Sequence, residues 1–138
     1  MIIVPDASVI LKWCLTENEA DRDKAVAIRQ ASLSGRAQLW VPSLWRFEAG
    51  NILIRRRPAE ANELLSLCEA SGLREIEPSR EWQATTVRLA VEYGVSFYDA
   101  SYHALALVHA GTFVTSDARF IAKAKKAGRL IHLSEFTA

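Results

Sequence analysis

Short apolar runs that alternate with longer helical patterns place this chain in the α/β class, as a three-layer α/β/α domain with a mostly parallel five-stranded sheet. Two further observations support that reading. The first run, Met1–Val4, is rich in β-branched residues and apolar throughout, as a strand buried on both faces is. No stretch rich in Pro, Gly or Ser divides the 138 residues, and no internal repeat is visible, so residues 1–138 are expected to form one domain.

The elements follow in order. Met1–Val4 reads as a buried strand, and Pro5-Asp6 turns the chain into a helix over Ser8–Leu15. Thr16-Glu17-Asn18-Glu19 has capping-box spacing, with Thr16 as N-cap and Glu19 reaching back; it opens a helix to about Leu33 that Gly35 stops. Gln38–Val41 is the second strand. Pro42 starts a helix in its first turn, which continues to Arg56 and ends near Pro58. Pro58 starts another, running to Gly72, and Leu73–Ile76 is a weak third strand. Ser79–Tyr93 is helical and stops at Gly94. Ser96 opens a nearly all-apolar helix to Ala110, closed by Gly111. Thr112–Thr115 is a strand, Asp117–Ala127 a helix ended by Gly128, and Leu130–Leu133 the last strand.

Composition excludes several classes. Half the residues are hydrophobic and 24% are charged, which argues against disorder. Seventeen basic against sixteen acidic residues leave a net charge of +1, so any binding of a polyanion rests on a local patch. Cys14 and Cys68 are distant in sequence and form no CxxC pair. That excludes a disulfide scaffold and a thiolate zinc site, and fits a reducing cytoplasm. No run approaches the roughly 18 apolar residues of a spanning helix. The start MIIVPDAS lacks the basic region of a signal peptide. A cytoplasmic protein without membrane association is expected.

The acidic residues carry the chemistry. Ligands of open parallel sheets bind beyond the carboxyl ends of the strands. Asp21 and Asp23 lie in the charged stretch ENEADRDK, a solvated helix face. Asp6 and Asp117, in contrast, directly follow the strands IIV and TFVT, and Asp99 sits in the almost uncharged VSFYDASYHALAL. Glu48 shares a narrow helical stripe with Asn51 and Arg55, flanked by Phe47 and Ile54 on one side and Trp45 and Ile52 on the other. Singly, each acid has another explanation. Asp6 and Asp117 can cap helices, Ser96 and Asp99 have capping-box spacing, and Glu48 can pair with Arg55. Together, four acids near strand ends converge as independent caps need not. Clustered carboxylates with no nearby Cys or His pair suit Mg²⁺ or Mn²⁺, which bind phosphate oxygens and assist displacement at phosphorus. Ser8, Thr115 and Ser116 stand beside the acids, where hydroxyls can orient them.

The motifs IIVPDASVILKW, WRFEAGNIL, SFYDASYHALA and FVTSDARF, in this order and spacing, resemble those of the PIN-domain nucleases and, among them, the VapC-type toxins of bacterial toxin–antitoxin pairs. The resemblance spans essentially the whole chain. It implies a parallel five-stranded sheet with Asp6, Glu48, Asp99 and Asp117 around a site dependent on Mg²⁺ or Mn²⁺, with Asp6, Asp99 and Asp117 as metal ligands. It carries Thr115 over as the hydroxyl of the T-x-D motif and places Ser8 where relatives often have Asn or Ser. It also implies an RNA substrate, a cognate antitoxin that covers the acidic pocket, and a homodimer.

Basic residues flank these acids. Arg55, Arg56 and Arg57 close the helix of Glu48, where they complement its dipole or meet phosphate. Arg119 lies next to Asp117, and with Arg55 is a candidate RNA contact. Trp13 and Trp45 belong to the core or to an antitoxin groove, and His103 is expected to be a satisfied buried histidine. The functional expectation is a metal-dependent endoribonuclease acting as a toxin. The alternatives are a PIN-domain nuclease of RNA processing and a non-catalytic module that binds a peptide or RNA in the acidic pocket. A receiver-like phosphorelay domain fits poorly, because no Asp ends the third strand and no Lys follows the last.

Overall fold

A computed structural model describes residues 1–17 and 19–138. Five strands, β1 (Ile2–Pro5), β2 (Gln38–Val41), β3 (Leu73–Glu75), β4 (Thr112–Thr115) and β5 (Leu130–His132), form one sheet in the order β3-β2-β1-β4-β5. Every pairing is parallel, so the sheet is more uniform than the sequence requires. Ile3 and Val4 show why β1 is apolar throughout. Ile3 packs with Ala25, Ile28 and Ala31 on one side of the sheet, and Val4 packs with Trp45, Tyr102 and Phe113 on the other. A strand covered on both faces has no polar side.

Among the described residues, seven helices flank the sheet: α1 (Ala7–Ile10), α2 (Arg22–Leu33), α3 (Leu44–Arg56), α4 (Ala61–Glu69), α5 (Arg80–Tyr93), α6 (Phe97–Val108) and α7 (Ala118–Ala124). Among the described residues, none is long and apolar enough to cross a membrane. β1 is central, with β2 on one side and β4 on the other, so the chain's connections leave it in opposite directions. The crevice between the carboxyl ends of β1 and β4 is therefore the place where the strand order reverses.

The turn into β4 fits tightly. A Cβ on Gly111 would stand 2.9 Å from Ile2 Cγ2 and 3.0 Å from the Ile2 carbonyl oxygen. Backbone cannot retreat as a flexible side chain can. Gly111→Ala is expected to cost about 1–3 kcal/mol, read as a lowered Tm; an unchanged Tm would show that this turn yields.

The helix starts depart from the sequence expectation in instructive ways. The expected Thr16–Glu19 capping box includes Asn18, which lies outside the described residues. Glu19 does not reach back to Thr16. Its two oxygens accept from Lys12 Nζ and Arg56 Nη1, each at 3.1 Å. Two cations, one of them the buried Lys12, outcompete a backbone N–H for the carboxylate. The helix α2 accordingly begins only at Arg22, after Asp21 in the left-handed region at φ 57°. The helix expected over Ser8–Leu15 is one turn of α-helix followed by a 3₁₀ turn over Leu11–Trp13. Pro42 lies before α3, whose N-cap is Ser43, and α4 starts at Ala61 rather than at Pro58. The helix α7 likewise tightens to a 3₁₀ turn at Lys125–Ala127.

On α3 the inward stripe is Trp45, Ala49 and Leu53, all fully buried. Phe47 and Ile54 lie off that stripe and are 70% and 63% exposed, so the expected apolar enclosure of Glu48 exists on one side only.

Candidate active site

Asp6 is the first residue beyond β1 and the N-cap of α1. Its Oδ1 accepts from the Val9 N–H at 3.2 Å and from the Ser8 hydroxyl, while its Oδ2 accepts from the Thr115 hydroxyl. One oxygen thus serves the helix and the other ties β1 to β4. Thr115 Oγ1 in turn accepts from the Asp117 N–H at 3.0 Å, and Ser8 Oγ from the Ser116 N–H at 3.2 Å. The two hydroxyls fix Asp6 against the loop after β4. Burial pushes the Asp6 carboxyl above the ordinary range. The bonds from Ser8, Thr115 and Val9 pull it down, and the charge of Asp99 adds to the rise.

Asp117 caps α7, its Oδ1 accepting from the Arg119 and Phe120 N–H groups, each at 3.0 Å. Capping and site membership are therefore compatible for Asp6 and Asp117. Each gives one oxygen to its helix; the other oxygen of Asp6 accepts from Thr115 at the crevice. Asp99 lies in the first turn of α6, where its N–H donates to Ser96 Oγ at 3.0 Å. Burial raises its carboxyl first, and the nearby charge of Asp117 raises it further, against the stabilising effect of the Ser96 side chain on the carboxylate.

Glu48 does not pair with Arg55. Its Oε1 accepts from the Tyr102 hydroxyl at 2.6 Å. Tyr102 is buried and stacked at 5.9 Å on Phe113, and burial with the Glu48 charge holds its phenol protonated. Burial also raises Glu48; Tyr102 opposes that, and the charges of Asp6 and Asp99 reinforce it. Asp6, Glu48 and Asp99 thus feel one another or Asp117, and the four expected acids share one crevice. Among the described residues, no Lys, Arg or His forms an ion pair with any of the four.

Asp99 and Asp117 line a cavity of ≈ 220 Å³ with Ser96, Arg119, Phe120 and Lys123. Arg119 is thus beside the acids, as expected. Arg55 is exposed on α3, away from that cavity. Among the described residues, no three His, Cys, Asp or Glu side chains are arranged to hold a metal ion directly. The donors are nevertheless all hard oxygens, and their mutual repulsion is unrelieved. Mg²⁺ characteristically takes one or two carboxylates and fills its other positions with water and phosphate. The residue set fits such an ion.

The family model for PIN domains matches residues 3–126. The chain belongs to the PIN domain family. This PIN domain superposes on PAE2754 from Pyrobaculum aerophilum with a TM-score of 0.67 at 27% identity, over 97% of this chain and 90% of that one. It superposes on VapBC2 from Rickettsia felis, bound to a DNA fragment from its promoter, with a TM-score of 0.67 at 16% identity, over 96% and 97% of the two chains. No curated protein sequence matches it significantly.

Two features of this PIN domain escape a reading of its sequence. Tyr102 looks like one more apolar position of α6; only its place one turn after Asp99 hints at a link to the acids. His103 is buried as expected but only half satisfied. Its Nε2 meets the Gly128 carbonyl at 2.8 Å while its Nδ1 has no partner among the described residues. Trp45 is core, with Nε1 donating to Glu75, and half-buried Trp13 donates to the Ala25 carbonyl at 2.8 Å.

Proposed function

We propose that this PIN domain is an endoribonuclease dependent on Mg²⁺ or Mn²⁺, the toxic member of a toxin–antitoxin pair. The observation that supports it most is the crevice of Asp6, Glu48, Asp99 and Asp117, where burial and neighbouring carboxylates raise the proton affinity of Asp6, Glu48 and Asp99 and no cation among the described residues is paired with any of the four. Asp6, Asp99 and Asp117 are the residues that would hold the ion, one or two of them directly and the rest through its bound water. When bound, it would polarise phosphate oxygens and offset the charge that builds in displacement at phosphorus. Ser8 and Thr115 orient Asp6. Glu48, its proton affinity raised and its position fixed by Tyr102, takes the proton from the attacking water. Arg119, beside the acids, and Arg55, further along α3, hold backbone phosphates of the RNA.

The partner reading draws on the Rickettsia felis neighbour, a VapBC2 assembly, and on exposed apolar side chains. Phe47, Ile54, Phe97 and Tyr98 are each at least 44% exposed, and Phe47, Phe97 and Tyr98 line an apolar cavity of ≈ 250 Å³ with Leu44, Ile76 and Trp82. Such a patch suits a cognate antitoxin and a second copy of the chain. The site of action is then the cytoplasm, where the RNA is.

The test is cleavage of total bacterial RNA by the purified protein with Mg²⁺ or Mn²⁺, against EDTA. Discrete fragments that require metal support the proposal; no cleavage by folded, antitoxin-free protein overturns it. Tyr102→Phe removes the bond that lowers Glu48, so the acid limb of the activity profile is expected to move to higher pH. An unmoved limb would detach Glu48 from proton transfer.

Stability gives a second readout. Asp6, Glu48 and Asp99 have folded-state values above their unfolded ones, about 4. Their contribution to stability is therefore fully present below about pH 4 and is lost as the pH rises through the folded values. Mg²⁺ should raise Tm by more at about pH 7 than at about pH 5, because protons compete with the ion for Asp6 and Asp99. An equal gain at both would place the ion elsewhere.

A further inference from the structure

Cys14 and Cys68 are 54 positions apart in the sequence, yet their sulfurs lie 3.5 Å from each other. The separation that argues against a disulfide scaffold is undone by the fold. Cys14 ends the 3₁₀ turn that continues α1, and Cys68 sits in the last turn of α4. Both thiols are free. Cys68 is fully buried, whereas Cys14 is half-buried and reachable. The two sulfurs share a cavity of ≈ 160 Å³ with Trp13, Arg29, Leu67 and Ser71.

This arrangement is asymmetric. The contact with Cys68 holds the Cys14 thiol below its ordinary range against the effect of burial, and Arg56 helps. Cys68 is pushed the other way by Cys14 and by its own burial. A reachable thiol with enhanced thiolate character beside a proton-retaining one has the form of an attacking and a resolving cysteine. Arg29, half-buried and held by Nε donating to Ser71 Oγ at 2.8 Å, places positive charge in the same cavity.

We propose that Cys14 and Cys68 form an oxidisable dithiol site for small anionic disulfides of the glutathione kind. The Cys14 thiolate attacks one sulfur of the small disulfide, whose S–S bond breaks and releases one thiolate. Cys68 gives its proton to solvent and its sulfur attacks Cys14, expelling the second thiolate. Two electrons pass from the protein pair to the small disulfide, which leaves as two thiols. The contact must close to about 2.05 Å. The new bond joins the turn after Asp6's helix to α4, which packs against α3, the helix of Glu48.

The test treats the reduced, full-length protein with oxidised glutathione or with cystamine, a cationic disulfide, and reads intact mass under non-reducing conditions. The expected product is a single chain lighter by two hydrogens and restored by dithiothreitol. Oxidised glutathione is expected to react several-fold faster than cystamine, with the advantage reduced in Arg29→Gln. Cys68→Ser should stall as a glutathione adduct on Cys14, and Cys14→Ser should stay unmodified. A wild-type protein that stays reduced, stops at the adduct or links only chain to chain overturns the dithiol. Equal rates with both reagents overturn the anionic preference. The mass of the wild-type protein alone decides whether the dithiol exists, so the main point stands or falls even where a variant fails to fold.

Discussion

Asp99→Asn is expected to reduce RNA cleavage by at least about 10²-fold while leaving the protein as stable as the parent or more so. The two halves of that expectation have one cause. Burial and the Asp117 charge both disfavour the ionised form of Asp99 in the folded protein. An amide of the same shape removes the repulsion and keeps the hydrogen bond from the Asp99 N–H to Ser96, which belongs to the backbone. Asp6 and Glu48, whose carboxyls burial also raises, carry a penalty of the same kind. Measured together, Tm and single-turnover cleavage separate the possibilities. Lost cleavage with unchanged or raised Tm assigns Asp99 to the chemistry. Lost cleavage with a lowered Tm would make Asp99 a structural residue, and retained cleavage would remove it from the site.

The second large effect lies beneath the site. Phe113, on β4 and 2% exposed, stacks on Tyr102 at 5.9 Å and meets Phe120 edge-on at 5.6 Å. Tyr102 holds Glu48, and the Phe120 N–H is capped by Asp117. Phe113→Ala is expected to cost about 3–5 kcal/mol, a large share of the roughly 5–15 kcal/mol typical of a domain. Cleavage by the remaining folded protein should fall as well, since Tyr102 and α7 lose the surface that sets them. Phe113→Leu, which keeps most of the volume, should recover most of the stability. Denaturant unfolding of the pair is the check; a cost near zero for the alanine variant would mean that the cavity collapses without strain.

The acids and strands are legible in the sequence for a physical reason. Asp6 and Asp117 directly follow apolar runs, and position relative to a strand end is a local property. Thr115 and Ser8 are legible for the same reason. Tyr102 is not, because its hydroxyl finds Glu48 across 54 positions and nothing local marks it. Arg56 has the local character of a helix-end charge, yet it and Lys12 bind Glu19 and displace a cap that local spacing favours. Phe47 and Ile54 defeat local reasoning because a helix of this length can face its core with one narrow stripe, Trp45-Ala49-Leu53, and leave other apolar residues outside. Local grammar describes the elements and their ends; partners distant along the chain decide where ambiguous side chains go.

The central place of β1 has a temporal consequence. Its partner β4 is joined to it by Val4↔Phe113, and the Asp6–Thr115 hydrogen bond spans 109 positions. During synthesis the first strand therefore waits for one of the last, and contacts of such separation form slowly. Asp6, made among the earliest residues, stays unpaired with its fixing hydroxyl until nearly the whole chain has left the ribosome. A nascent chain is thus without an assembled crevice for most of its synthesis, and the four acids meet only with the finished sheet.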